Sequence, residues 1–188
     1  MIELGKFITE TSEAYRRAKE ALESRGFVIF PIEPKSLDQI LDEQSEYFDY
    51  VNPSKVLRDF KPPEAIEIAI HKERPALPDS NYRTQKEQIE MIRDWGRVTK
   101  QETGLTNLQI RMGHASECAQ ADIAYQKQCG RKLFPDFFAR TLDKTTGSGV
   151  ASVGRPFPES RLRVLVWYAV HGRSIVCAVP VVVLPPRR

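Results

Sequence analysis

RLRVLVWYAVHGRSIVCAVPVVVLP, residues 161–185, is the most apolar run of this 188-residue chain, and its reading decides the fold. Its length invites a membrane span, but Arg163, His171, Gly172, Arg173 and Pro180 interrupt it. A charge at the middle of a span costs about 2.5–3.5 kcal/mol even on the lenient insertion scale. Two buried strands joined at 171–174 account for the run better. On the first, Leu162, Val164, Val166, Tyr168 and Val170 form a wholly apolar face. The opposite face runs Arg161, Arg163, Leu165, Trp167, Ala169, basic at one end and apolar at the other. The second strand, 174–184, is apolar on both faces, which calls for a central or covered position. Pro180 within it cannot donate to a ladder and belongs at an edge or a bulge. Two arrangements reconcile these signals. Either helices cover both faces and Pro180 marks a bulge or has a ladder partner on one side only, or 174–184 is an edge strand buried in a homo-oligomer or by another protein.

Outward from this pair, the N-terminal two-thirds alternates helices with short strands. Ala14, Ala18, Ala21 and Leu22 make one stripe of a helix over 12–25, with Gly26 as its C-terminal cap. A buried strand follows at 27–32. Ser36 and Gln39 have capping-box spacing for a second helix, striped by Leu37, Ile40, Leu41 and Phe48. Asn52-Pro53 opens a short helix to about residue 60. Strands are expected at 65–71 and 105–112, and helices at 82–102, with a Thr84/Glu87 capping box, and 115–129, rich in small residues. From Phe137 onward β runs at 137–143, 149–153, 161–170 and 174–184 are separated by turn residues. The expected class is α+β: helices mainly in the N-terminal two-thirds, packed on a largely antiparallel sheet formed mostly by the C-terminal third. One domain spans 1–188, with 75–81 the only stretch resembling a boundary.

Charge is segregated along the chain. Residues 131–188 carry ten Lys and Arg against three acids, so +7, whereas residues 1–60 carry −4 and the whole chain +3. Fields act locally, so the basic third is where an anion is expected. Arg140 falls inside one β run, and Arg155, Arg161 and Arg163 flank or interrupt the next. If those strands are neighbours, the guanidiniums meet on one side, and their planar fork suits phosphate or carboxylate. Lys144 opens the loop KTTGSG, 144–149, whose N–H groups and hydroxyls also suit anions. Its Lys precedes the glycines and a strand follows, so the loop reads as a hairpin turn and not a phosphate loop. The ligand-binding candidates are therefore Arg140, Lys144, Arg155, Arg161 and Arg163. The expected role is non-enzymatic: a binding or assembly module that contacts an anionic ligand or a protein partner. Non-specific nucleic-acid binding is a further alternative through phosphate contacts. No helix-turn-helix, zinc finger or aromatic RNP-like motif is legible, and Trp167 and Tyr168 read as core or groove aromatics.

The enzymatic alternative rests on Cys118 as nucleophile with His114 as its base. Both fall near the start of the 115–129 helix, four residues apart, where a helix N-terminus and an imidazole favour thiolate. Against it, Cys118 lies among Ala115, Ala119 and Ala121, the setting of a small buried thiol. No metal site is expected, since Cys118 and Cys129 would lie about 16 Å apart along one helix. No cofactor motif is visible. Three cysteines make no disulfide framework, and the N-terminus has no signal-peptide character, which points to a reducing, cytoplasmic setting.

Overall fold

In a computed structural model, which describes residues 2–187 and side chains from Glu13 to Arg187, the run 161–185 passes through two different sheets. It forms β7 (Leu162–Tyr168), β8 (Val176–Cys177) and β9 (Pro180–Val183). β7 and β8 belong to a five-stranded sheet with β2 (Phe48–Val51), β5 (Phe138–Lys144) and β6 (Gly149–Gly154), in the order β2-β7-β6-β5-β8. β9 instead lies inside a four-stranded antiparallel sheet with β1 (Phe27–Ile32), β3 (Ile66–His71) and β4 (Gln109–Met112), in the order β1-β3-β9-β4. The class is α+β, with helices mainly N-terminal, but the single C-terminal sheet is in fact two. The expected hairpin between 161–170 and 174–184 does not form.

The chain changes sheets at Ala178. Its N–H donates to Ser80 Oγ at 3.0 Å, and its carbonyl accepts from the Leu77 N–H at 2.9 Å. The 77–80 loop thus occupies the hydrogen-bonding groups that would have continued β8 as one strand. Pro180 follows, opposite Met112 of β4, while β3 joins β9 only at Val182 and Val183. Pro180 therefore has a ladder partner on one side within an internal strand. The edges of that sheet are β1 and β4, so Pro180 does not mark a sheet edge; the edge strand within 174–184 is instead β8, at the end of the five-stranded sheet.

The helices follow their end signals. α2 (Leu37–Gln44) and α4 (Gln85–Thr103) begin with reciprocal capping boxes at Ser36/Gln39 and Thr84/Glu87. Gly104 closes α4, and Gly130 closes α5 (Ala115–Cys129), in left-handed conformations at φ 68° and 67°. α1 runs Ile2–Glu23, beginning well before residue 12. Asn52 Oδ1 accepts from the Ser54 N–H, a local turn that delays α3 to Lys55–Asp59. Phe48 leaves the α2 stripe for β2, after a 3-10 turn at Ser45–Tyr47. Residues 105–108 turn before β4 starts.

α5 explains its small residues by its position. Its buried Ala115, Cys118, Ala119 and Ala121 pack with Phe30, Ile68 and Ile70 of the first sheet and Ala139, Ala151 and Val164 of the second. A helix buried on all sides between two sheets needs small side chains for close approach. α1 and α4 cover the other face of the four-stranded sheet through Ala18, Leu22, Ala69, Val182 and Trp95. On β7, Leu162, Val164 and Val166 face α5. Arg163, Leu165 and Trp167 therefore point to the opposite face, which is only half-buried at β7 and exposed at Tyr50 of β2.

Candidate functional site

The ladder registers lay out this outer face as a grid. Arg163 has Tyr50 on one side and Gly154 on the other. Leu165 has Ser152 beside it and Arg140 beyond. Trp167 has Val150 beside it and Lys144 beyond. Directly opposed residues share a face at about 4.7–4.9 Å per strand. The β5–β6 half is covered, so Arg140 and Ser152 are fully buried, while the β2–β7 half is open. Tyr50 is 45% exposed.

Charge on the open half exceeds its local compensation. Arg161 and Arg163 both reach Asp49, at 3.0 and 3.4 Å, so two guanidiniums share one carboxylate. Arg161 and then Arg163 hold the Asp49 carboxyl below its ordinary range. Arg173 lies over the Trp167 ring, 5.1 Å from its centroid, and among the described residues neither Arg173 nor Lys144 has a carboxylate partner. Glu46 is the other acid nearby, in a groove shared with Asp49, Tyr50 and Arg161.

This face also concentrates unmet hydrogen-bonding groups. Apart from Asp38 Oδ1 and Arg58 Nε, which pair with each other, seven buried side-chain nitrogen or oxygen atoms lack a hydrogen-bond partner among the described residues, and four of them are Arg140 Nε, Ser152 Oγ, Arg163 Nε and Trp167 Nε1. All four can donate; Arg163 and Trp167 lie on the open half, Arg140 and Ser152 on the covered half. Arg140 is the anomaly among them. Its guanidinium is 1% exposed and meets no carboxylate, and its only acceptors are the carbonyls of Tyr168, Ala169 and His171 at 2.9–3.4 Å. Burial alone lowers its pKa from the ordinary value. It pins the turn after β7, which Gly172 seats against the Tyr82 backbone so closely that any Cβ would overlap it.

The five basic candidates thus divide. Arg161 and Arg163 lie on the open face, and Lys144 is at the far end of the Trp167 row. Arg140 lies beneath as a structural pin. Arg155 is elsewhere and internal: fully buried, it forms two bonds to Asp122, at 2.9 and 2.6 Å, and cannot reach a ligand. Its selection as a ligand-binding residue is corrected on that ground. Trp167 is half-buried and Tyr168 is 59% exposed, so of the core and groove positions expected for them the core is excluded. Tyr50, Arg173 and Ser152 were not among the candidates. Of these, only Arg173 carried a usable signal, as a basic residue in the turn after Trp167.

The cysteine site comes apart. Cys118 is 1% exposed, and burial, followed by the Glu117 and Asp143 carboxylates, pushes its thiol well above the ordinary value. His114 turns instead to Asp143, whose Oδ1 lies 2.6 Å from Nδ1 and whose other oxygen accepts the Ala115 N–H at the start of α5. Phe60 stacks on the imidazole at 4.5 Å. Glu117 accepts the His114 N–H and holds Arg111 through two bonds of 2.8 and 2.7 Å. The imidazole is oriented by a carboxylate, but no thiolate stands beside it, so a Cys118–His114 pair is not assembled. Among the described residues, no group of three or more His, Cys, Asp or Glu is placed to hold a metal ion. No described helix is long and apolar enough to cross a membrane.

Comparison with known protein families, curated proteins and solved structures gave no significant match.

Proposed function

We propose that this protein is a non-enzymatic binding module that takes an anionic ligand on the open β2–β7 face of its five-stranded sheet. The observation that carries the reading is the clustering of unmet donors with surplus positive charge on that one face. Arg163 Nε and Trp167 Nε1 adjoin Arg161, Arg163 and Arg173, near which the acids Asp49 and Glu46 lie, while the fully buried Arg140 Nε and Ser152 Oγ stay beneath the covered half. Buried donors without acceptors are costly, and a ligand rich in acceptor oxygens relieves that cost while neutralising the charge. Of the arginines of the face, Arg161 and Arg163 are candidates the sequence singles out, and Arg173 is not. All three cysteines are free and Cys129 is exposed, which supports a reducing, cytoplasmic setting.

Binding to immobilised heparin across a salt series tests this. Arg161, Arg163 and Asp49 are at least partly exposed, and ion pairs of that kind contribute little to stability, so their variants fold. R161A/R163A elutes at lower salt than wild type, with a shallower dependence of log affinity on log salt, by about 0.7 per lost phosphate-like contact. D49N releases both guanidiniums and elutes at higher salt. Wild-type protein that does not bind at about 50 mM salt, or a D49N variant that binds more weakly, overturns the reading.

A further inference from the structure

We propose that the anion is a single-stranded nucleic acid, with one base stacked on Trp167 in the place Arg173 now occupies. The inference rests on the anion-binding reading above and adds the chemistry that separates one polyanion from another. Charge alone would suit heparin, polyphosphate or an acidic peptide equally. The aromatic rings do not. Arg173 sits over the Trp167 ring at 5.1 Å, so one face of the indole already carries a planar cation. A nucleobase is planar, has a similar footprint and stacks on such rings with little dependence on sequence. Displaced from the indole, the Arg173 guanidinium is released beside the base, where a phosphate would be.

The spacing supports a strand crossing the face rather than a single mononucleotide. Arg163 and Trp167 are four residues apart on β7, about 13 Å at 3.3 Å per residue. Tyr50 stands beside Arg163 on the next strand and is 45% exposed. The face thus alternates ring, guanidinium and ring, with Arg161 beyond Arg163, over a length that several nucleotides would span. Leu165, half-buried between Arg163 and Trp167, offers only apolar contact. A duplex fits poorly. Its bases are stacked on one another, and groove reading calls for a protruding helix or ribbon, whereas this is an open sheet face. An acidic peptide would gain from Arg161 and Arg163 but not from Trp167. Asp49 and Glu46 oppose any anion at the Arg161 end, so the strongest contacts are expected toward Arg173 and Lys144.

The chain has two tryptophans, so W95F leaves Trp167 as the sole indole. Should W95F not fold, wild type compared with W167F gives the same signal by difference. The protein is titrated at about 50 mM salt with oligothymidylate of about 12 nucleotides, heparin, poly-glutamate and a DNA duplex. Oligothymidylate is expected to quench Trp167 emission to saturation, and W167A to weaken its binding about 5- to 150-fold, the loss of one stacked base. Heparin is expected to bind without quenching and to be indifferent to W167A. Oligothymidylate that binds with Trp167 emission and W167A affinity unchanged overturns the stacking inference and leaves the anion reading standing. Tighter binding of duplex or poly-glutamate than of the single strand does the same. If none of the four polyanions binds, the anion reading falls and takes this inference with it.

Discussion

Removing the Asp122 carboxylate should destabilise the protein more than any change on the open sheet face, and without a direct effect on ligand binding. Asp122 and Arg155 both have 0% exposed side chains. Asp122 accepts two bonds from Arg155, at 2.9 and 2.6 Å, and further bonds from Gln126 and from the Leu133 and Phe134 backbone N–H groups. D122A therefore strands a guanidinium, whose one remaining acceptor is the Phe134 carbonyl at 3.3 Å, and orphans two buried N–H donors. Breaking a buried ion pair from one side costs about 3–5 kcal/mol. For a chain of this size about 4 kcal/mol corresponds to a fall in Tm of roughly 8–16 °C. R155M is milder, about half that loss, because the carboxylate it leaves keeps three N–H donors. Urea and thermal unfolding followed by circular dichroism measure both, and the losses should persist at high salt because neither group is solvated. The fold at 25 °C survives R155M, and its heparin elution matches wild type. A D122A loss under about 1.5 kcal/mol, or an R155M loss larger than that of D122A, would refute the account of this pair.

Two further predictions concern groups around α5. Burial alone would raise the Glu117 pKa, but the Arg111 guanidinium outweighs it and the carboxyl is held below its ordinary range. A depressed folded-state value adds stability above the unfolded value of about 4.3 that is lost as pH falls through the folded one, so the gap in urea midpoint between wild type and E117Q should stay constant to about pH 5 and narrow below about pH 4; a gap independent of pH would count against it. Alkylation at about pH 8 should modify exposed Cys129 in the folded protein and reach Cys118 only after unfolding; equal rates at the two sites would remove the case for an inert, buried Cys118.

Local signals made most elements legible. Ser36/Gln39, Thr84/Glu87, Gly104 and Gly130 are helix ends written in side-chain and backbone chemistry, and each ends its helix where the residue type requires. The alternation over 162–168 likewise separates a core face from a polar one. Pairing was not legible, because it depends on contacts far along the chain. Nothing local in 174–184 announces that Ser80 and Leu77 will occupy the Ala178 backbone, yet that is what divides the run into β8 and β9. Both halves are buried, so both read as apolar on two faces and merge into one apparent strand. The site was half legible for the same reason. Arg161 and Arg163 show as basic residues interrupting a strand. Tyr50 becomes part of the site only because β2, more than a hundred residues earlier, pairs with β7.

The charge gradient along the sequence is cancelled in part in space, and part of what survives marks the face. The basic third borrows carboxylates from the rest of the chain. Asp122 neutralises Arg155, Asp49 serves Arg161 and Arg163 together, and Glu67 binds Arg187 through two bonds of 2.8 and 2.5 Å. Of the three acids native to the basic third, Asp143 is committed to His114. Pairing of this kind is how a folded chain keeps segregated charge from costing stability. Arg131, Lys132, Arg140, Lys144 and Arg173 fall outside it, with no carboxylate partner among the described residues. The last three connect to one place. Lys144 ends the row of Trp167, Arg173 covers its ring, and Arg140 holds the carbonyls of the turn that carries Arg173. Three of these five unpaired charges gather around a single half-exposed indole, which is why Trp167, and not the most basic stretch of sequence, is the residue whose environment should change if the proposed ligand binds.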